Sequence, residues 1–271
     1  MDMNEVAARG LVLLGCGKMG SAMLRGWLRT GLPPASVYVI DPKPSDWLKA
    51  QGVHIGKDLP PRPAIAVIAV KPQMMTEALP DVKILGNGET LVISIAAGTS
   101  IATFEDVLGD KTPIVRAMPN TPAAVGRGIT ALIGNDKVTE GDMDMADALL
   151  MSIGQTVRLQ NEGQMDAVTA VSGSGPAYVF HLIEALAAAG EAEGLPADLA
   201  MQLATATVGG AGELAEDVDE TPTQLRINVT SPNGTTQAAL EVLMDAETGF
   251  PPLLRRAVAA AANRSRELAG D

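Results

Sequence analysis

Leu11-Val-Leu-Leu-Gly-Cys-Gly-Lys-Met-Gly20 begins as four apolar residues and breaks at Gly15 into the spacing G-x-G-x-x-G. The apolar run reads as a buried parallel strand. Ser21 to Thr30 follows, with Ala22, Met23, Leu24, Trp27 and Leu28 at helical intervals. The glycines therefore fall on a strand-to-helix turn, the context this spacing requires. Gly15 permits the tight turn, Gly17 lets backbone approach a pyrophosphate, and Gly20 lets helix and strand pack closely. Free N–H groups and the macrodipole at the helix start then hold the anion. Cys16, Lys18 and Met19 fill the intervening positions and join the predicted dinucleotide contacts. Cys16 reads as a small packed side chain rather than a nucleophile.

Working outward, strand-like and helix-like segments alternate over the first 160 or so residues. Strands are expected at Val37–Ile40, Ile65–Val70, Leu91–Ile95, Ile114–Met118 and Ile129–Ile133. Helices are expected at Met74–Leu79, Ile101–Leu108 and Asp142–Ser152. Alternating β and α with continuous apolar strands predicts an α/β, doubly wound, mainly parallel sheet. After about Asn161 no strand signal recurs. Ala177–Glu193, Leu199–Ala215, Ala238–Ala246 and Leu253–Leu268 read as helices. The first two are apolar on most faces, so they call for a partner subunit to cover them. Gly209, Gly210, Ala211 and Gly212 would let backbones approach closely, or break the helix locally.

The whole chain has 271 residues and a net charge of −12, with 3% aromatics. That length accommodates two domains, placed at 1–162 and 163–271. An acidic chain poor in aromatics lacks the footprint of a nucleic-acid binder. No apolar run approaches a membrane span. The start, with Asp2 and Glu5, does not read as a signal peptide. The single cysteine forms no internal disulfide, and a cytoplasmic location is the default expectation.

Asp41 ends the second strand, 21 residues after Gly20. An acid there accepts hydrogen bonds from ribose hydroxyls and repels the 2′-phosphate of NADP, which Lys43 and Ser45 could offset. The alternative is a turn aspartate before Pro42. The two histidines, His54 and His181, lie far apart, and no metal cluster is visible. No lysine follows Lys137. Reduction of a ketone needs a proton donor at oxygen. A protonated imine is already electrophilic, so the composition favours C=N over C=O reduction. A second anion site is expected at Thr230-Ser-Pro-Asn-Gly-Thr-Thr236. Ser231 or Thr235 could cap the following helix, and the N–H groups of Gly234, Thr235 and Thr236 would converge on a carboxylate. An ordinary helix cap is the competing reading.

Six motifs in order resemble the pyrroline-5-carboxylate reductases: Gly15-Cys-Gly-Lys-Met-Gly20, Ala69-Val-Lys-Pro-Gln73, Ser94-Ile-Ala-Ala-Gly98, Arg116-Ala-Met-Pro-Asn-Thr-Pro122, Ser172-Gly-Ser-Gly-Pro-Ala-Tyr178 and the Thr230–Thr236 stretch. The last two are the specific ones. The resemblance implies a Rossmann-type N-terminal domain and an all-helical dimerisation domain that interleaves into a homodimer, often as five dimers in a ring. It places Ala69, Val70, Lys71, Pro72 and Ala96 along the cofactor, with Asn228 reaching it from the helical domain. It makes Glu162 a substrate-contacting acid, and it puts the substrate carboxylate and ring nitrogen on the loop of Ser231, Gly234, Thr235 and Thr236. The implied chemistry is hydride transfer from NADPH or NADH to pyrroline-5-carboxylate, giving proline. Thr236 is the residue at the ring nitrogen. The family favours NADPH, whereas Asp41 leans toward NADH, and Gly56 stands where many relatives carry an adenosine-contacting Asn. Reduction of another cyclic imine or a ketimine, a hydroxy-acid dehydrogenase and a non-catalytic dinucleotide-sensing regulator are the alternatives.

Overall fold

In the computed structural model, which describes residues 3–270, strand β1 (Leu11–Leu14) sits in the middle of a sheet and is buried throughout. Of the reading made at the chain start, Asp2 lies outside the described residues. β1 pairs in parallel with β2 (Val37–Ile40) on one side. On the other it pairs with β4 (Ile65–Ile68), Leu11 facing both Val37 and Ile65. Its alternate residues feed two cores: Leu11 and Leu13 on one face, Val12 and Leu14 on the other. Burial on both faces is why the strand reads as an unbroken apolar run.

The remaining strands are β3 (His54–Ile55), β5 (Leu91–Ser94), β6 (Ile114–Met118), β7 (Gly128–Gly134) and β8 (Gly154–Arg158). The eight run in the order β3-β2-β1-β4-β5-β6-β7-β8. All neighbours are parallel except β6 and β7. The order reverses between β1 and β4, which opens a crevice at the carboxyl ends of those strands. The helices of this unit are α1 (Met3–Arg9), α2 (Lys18–Arg29), α3 (Asp46–Lys49), α4 (Met75–Ala78), α5 (Ile101–Leu108), α6 (Glu140–Leu150) and α7 (Met165–Val168). α2 and α6 share one core through Trp27, Ala146 and Leu149, and the Trp27 indole donates to the Leu149 carbonyl at 3.0 Å. Phe104 and Leu108 of α5 fill the other.

Two elements on this sheet lie outside the expected set. β3 has two exposed residues, too short to leave a pattern. β8 is a mostly exposed edge strand, so no apolar alternation marks it. Beyond α7 the chain passes through a π-helical segment, Thr169–Gly173.

The chain divides into two units. The sheet unit runs to Gly173 and takes in the chain again from Ala262; the other is Ser174–Ala261. In this second unit α8 (Gly175–Ala192) and α9 (Ala197–Asp217) pack through Ala187, Ala200 and Ala204. Gly194, at φ +97°, ends α8, with the Leu195 N–H returning to the Gly190 carbonyl at 3.1 Å. α10 (Pro222–Asn228), α11 (Thr235–Leu243) and the first turns of α12 (Phe250–Ala269) complete it. α9 is unbroken across Gly209–Gly212. No described atom outside the local helix backbone lies within 4 Å of the Cβ that Gly209, Gly210 or Gly212 would carry, so neither a helix break nor a close approach to another described element of this chain explains them. Val179, Phe180, Leu182 and Leu186 of α8 are exposed in the single chain. Among the described residues no helix is long and apolar enough to cross a membrane.

Candidate active site

The β1–α2 turn carries its three glycines for three separable reasons. Gly15 has φ +90°, and a Cβ there would meet the Val70 side chain at 2.9 Å and the Ala69 carbonyl oxygen at 3.0 Å. Gly20 is closed by the Gly15 carbonyl oxygen at 2.5 Å. Gly17 is different: a Cβ there would face open space. It is also the N-cap of α2, and no side chain caps the helix. The first N–H groups of α2 are left for an outside acceptor. Lys18, exposed at the first helical position, would oppose the macrodipole without an anion nearby. Cys16 is buried, and burial chiefly raises its thiol pKa, against a lowering contact from Ser21 3.5 Å away. It is a packed neutral thiol.

Asp41 follows β2 directly. Its Oδ2 accepts the Cys16 N–H at 2.8 Å and its Oδ1 the Lys43 N–H at 2.8 Å. The carboxylate is thus fixed to the glycine turn as well as to its own loop. It lines a cleft of about 240 Å³ with Leu14, Ile40, Gly56, Lys57 and Val70. Lys57 is paired with Asp81 at 2.7 Å, and the Ser45 hydroxyl caps α3 by accepting from Leu48 N–H. The Ala69 N–H bonds the Leu14 carbonyl at 2.8 Å, which carries Val70, Lys71 and Pro72 out over the carboxyl end of β4. Ala96, after β5, is buried, with its N–H on the Ser94 hydroxyl at 3.3 Å. The open Gly17 cradle, the bare α2 terminus and the cleft at Asp41 fit the pyrophosphate and adenosine of a dinucleotide.

Glu162 stays in the sheet unit. Its Oε1 accepts from the Arg116 guanidinium at 2.7 Å and from the Ile101 N–H at 2.9 Å. Sequence reasoning missed Arg116 as its partner. Asn120 of the same motif donates to the Ser172 hydroxyl at 3.3 Å and accepts the Ile129 N–H at 3.0 Å.

The second expected anion site lies in the helical unit and differs in detail from the expectation. α11 begins at Thr235 with Gly234 as N-cap, and neither Ser231 nor Thr235 caps it through a side chain. The Gly234 N–H is taken by the Ser231 carbonyl at 3.0 Å, because the chain turns tightly there. The first helical bond runs from Ala238 N–H to the Gly234 carbonyl, so the open donors are those of Thr235, Thr236 and Gln237. Gln237 replaces Gly234 in the expected trio. Asn233 sits at φ +57°, its N–H held by Gln237 Oε1 at 2.8 Å. Asn228 ends α10, where it accepts from Gln224 and donates to Glu220. His54 stacks on Tyr38 and bonds the Ala35 carbonyl, and His181 pairs with Glu184 on an exposed face. Among the described residues no group of three or more His, Cys, Asp or Glu could hold a metal ion.

A glycine turn leading to a bare helix end in a doubly wound sheet, followed by a helical unit, defines a Rossmann-type dinucleotide-dependent oxidoreductase. The comparisons with known proteins agree. Residues 10–98 match the family model described as NADP oxidoreductase coenzyme F420-dependent, and 162–268 match pyrroline-5-carboxylate reductase dimerisation. The pyrroline-5-carboxylate reductase of Pseudomonas aeruginosa is 38% identical over 265 residues, covering 96% of each chain. The solved structure of the Coxiella burnetii pyrroline-5-carboxylate reductase superposes with a TM-score of 0.90 at 35% identity, covering 96% of this chain and 98% of that one. That of the Plasmodium falciparum pyrroline carboxylate reductase with NADP bound gives 0.84 at 30% identity, over 97% and 99%. The chain belongs to the pyrroline-5-carboxylate reductase family and is an NAD(P)H-dependent reductase.

Proposed function

We propose that the protein reduces 1-pyrroline-5-carboxylate to L-proline, the last step of proline biosynthesis. The observation that carries this reading is a pair of helices, α2 and α11, that each start on glycine with no side-chain cap. Four others, α3, α5, α6 and α10, are capped by Ser45, Ser100, Thr139 and Thr221. α4, α7, α8 and α9 also lack a side-chain cap, but they start on Met74, Gln164, Ser174 and Pro196. The two glycine N-caps supply one anion site for a dinucleotide and one for a small carboxylate.

The α2 terminus, with Gly15 to Gly20, holds the pyrophosphate. Ala69 to Pro72 and Ala96 flank the rest of the dinucleotide. Bound reduced nicotinamide supplies the hydride that the C=N carbon accepts. The N–H groups of Thr235, Thr236 and Gln237 grip the substrate carboxylate. The Thr236 hydroxyl oxygen accepts the N–H of the protonated ring nitrogen. That nitrogen arrives with its proton, so no residue has to deliver one during reduction. This fits a chain with no lysine after Lys137 and both histidines engaged elsewhere. The protein supplies mainly proximity and orientation.

Asp41 directs the preference toward NADH, since its fixed carboxylate faces the ribose and would repel a 2′-phosphate. The exposed apolar residues of α8 and α9 are covered in a homodimer formed through the helical unit. The location is cytoplasmic. The deciding assay follows NADH and NADPH oxidation with racemic pyrroline-5-carboxylate, beside a six-membered imine acid and a panel of 2-keto acids. Turnover is expected on the five-membered imine above all others. Faster turnover of any 2-keto acid would overturn the assignment.

A further inference from the structure

Arg116 is the one charged side chain in the buried set among the described residues, 6% exposed in the middle of β6. None of the chemistry above uses it. A buried guanidinium is expensive unless paired, and replacing such a pair with apolar groups is often harmless to stability. Its presence therefore calls for a reason other than stability.

Its partner is a single carboxylate oxygen. Glu162 Oε1 lies 2.7 Å from Arg116 Nη1 and accepts the Ile101 N–H at 2.9 Å. Three elements distant in sequence thus meet at one atom: the centre of β6, the first residue of α5, and the 3-10 turn Glu162–Gln164 that leads into α7. Ile101 N–H is one of the open donors at the start of α5, and the Ser100 hydroxyl is engaged with the N–H and hydroxyl of Thr103. Glu162 is a second cap for that helix, held in place by Arg116.

The loop just before Ile101 leaves the carboxyl end of β5 and carries Ala96 to Ser100. In a sheet of this order each half of the crevice takes one mononucleotide. Asp41, at the end of β2, belongs to the adenosine half. The loop after β5 belongs to the other, the nicotinamide half. That loop is fastened at three points. Ala96 N–H bonds the Ser94 hydroxyl, Gly98 at φ +67° leaves little room for a side chain beside Leu268, which a Cβ there would meet at 3.3 Å, and Ile101 N–H bonds Glu162.

We infer that Arg116 is a positioning residue. Through Glu162 it sets the β5–α5 loop as the wall that orients the nicotinamide. It touches neither cofactor nor substrate. This rests on the NAD(P)H-dependent reductase reading above.

The test uses the full-length Arg116→Met, Arg116→Lys, Glu162→Gln and Arg116→Met/Glu162→Gln variants, assayed well below their melting temperatures. Calorimetry gives the NADH affinity, the emission of bound NADH reports the nicotinamide surroundings, and single-turnover mixing with pyrroline-5-carboxylate gives the hydride-transfer rate. In Arg116→Met the rate is expected to fall about 10- to 100-fold, the scale of a 1 Å misplacement. NADH affinity should change less than about threefold, because the α2 terminus holds the pyrophosphate. Bound-NADH emission should shift toward that of the free cofactor. Arg116→Lys should recover most of the rate, and adding Glu162→Gln to Arg116→Met should cost little more, since both act through one contact. Arg116→Met with wild-type rate and emission, whatever its melting temperature, would overturn the inference. If that variant does not fold, Glu162→Gln decides: shifted emission and slowed transfer support the role, and wild-type behaviour refutes it. Should the wild type itself reduce no imine, the functional reading fails on its own, while affinity and emission still test the loop.

Discussion

Gly17→Ala separates a site from a scaffold. At this position φ is −70° and ψ −155°, extended backbone open to any L-residue, and the added methyl meets no described atom within 4 Å. Two effects on folding oppose each other. Alanine restricts the unfolded chain, a gain of about 0.4–1 kcal/mol. Alanine is also a poorer N-cap than glycine, a loss of similar size. The net change should lie within about 1 kcal/mol of zero, or roughly 2–4 °C in melting temperature for a chain of this size. Binding should respond far more. The methyl occupies the space through which a pyrophosphate approaches the α2 donors. Losing one hydrogen bond to a charged group is worth about 1.5–3 kcal/mol. Calorimetric titration with NADH should show affinity lowered about 10- to 150-fold, with the circular dichroism spectrum unchanged. Gly15→Ala is the contrast. It forces a side chain onto φ +90° against Val70 at 2.9 Å, and should cost about 2–5 kcal/mol of stability. Affinity within twofold of wild type in a folded Gly17→Ala protein would refute the pyrophosphate assignment.

Asp41→Asn keeps an acceptor for the backbone but removes the charge; the ratio of NADPH to NADH affinity should rise about tenfold, the effect of one partly screened charge, and an unchanged ratio would remove Asp41 from cofactor choice. Thr236→Val should lower kcat/KM for pyrroline-5-carboxylate about ten- to hundredfold, by the loss of one hydrogen bond to a charged group, while NADH affinity holds; unaltered kinetics would exclude the hydroxyl. Burial raises the Cys16 thiol pKa, so the folded state favours the neutral thiol. Iodoacetamide at pH 8 should therefore modify the folded protein much more slowly than the urea-unfolded chain, and stability should begin to fall as pH rises through the unfolded thiol pKa. Equal alkylation rates would contradict the packed-thiol description. Sedimentation at micromolar concentration should show no folded monomer, because α8 leaves Val179, Phe180, Leu182 and Leu186 exposed; a stable monomer would contradict the shared helical core.

What the sequence revealed follows the range of the forces involved. β1 and its glycine turn were legible because a strand buried on both faces and a turn needing positive φ each impose residue types within ten positions. β8 was not, because an exposed edge strand has no buried face to alternate with and is defined by its pairing to β7. The link between Arg116 and Glu162 spans 46 residues and leaves no local mark on either. The end of the sheet unit was hidden for the same reason. Asp166 belongs with the sheet and is reached by the Ser265 hydroxyl at 2.6 Å, 99 residues away, near the end of α12.

The Thr230–Thr236 stretch lies between these cases and carries the sharper lesson. Its composition identified a helix start, and a helix does start there. It also suggested a capped one, because serine and threonine beside a turn are ordinary caps. The structure instead spends the Gly234 N–H on the Ser231 carbonyl and holds Asn233 through Gln237, which leaves the three donors of α11 open. The same holds at α2, where Gly17 takes the place a serine would fill. A serine or aspartate at either N-cap would satisfy the helix from within and close it to an anion. Glycine gives up that bond and keeps the donors available, without a side chain of its own in the way of an arriving acceptor, which the uncapped starts at Met74, Gln164 and Pro196 do not offer. Gly234→Ser should accordingly cap α11 and weaken proline binding as a competitive product, the gain from the cap being offset by a Cβ that meets the Ser231 carbonyl oxygen at 3.0 Å. Proline binding unchanged in such a protein would mean that α11 does not hold the carboxylate.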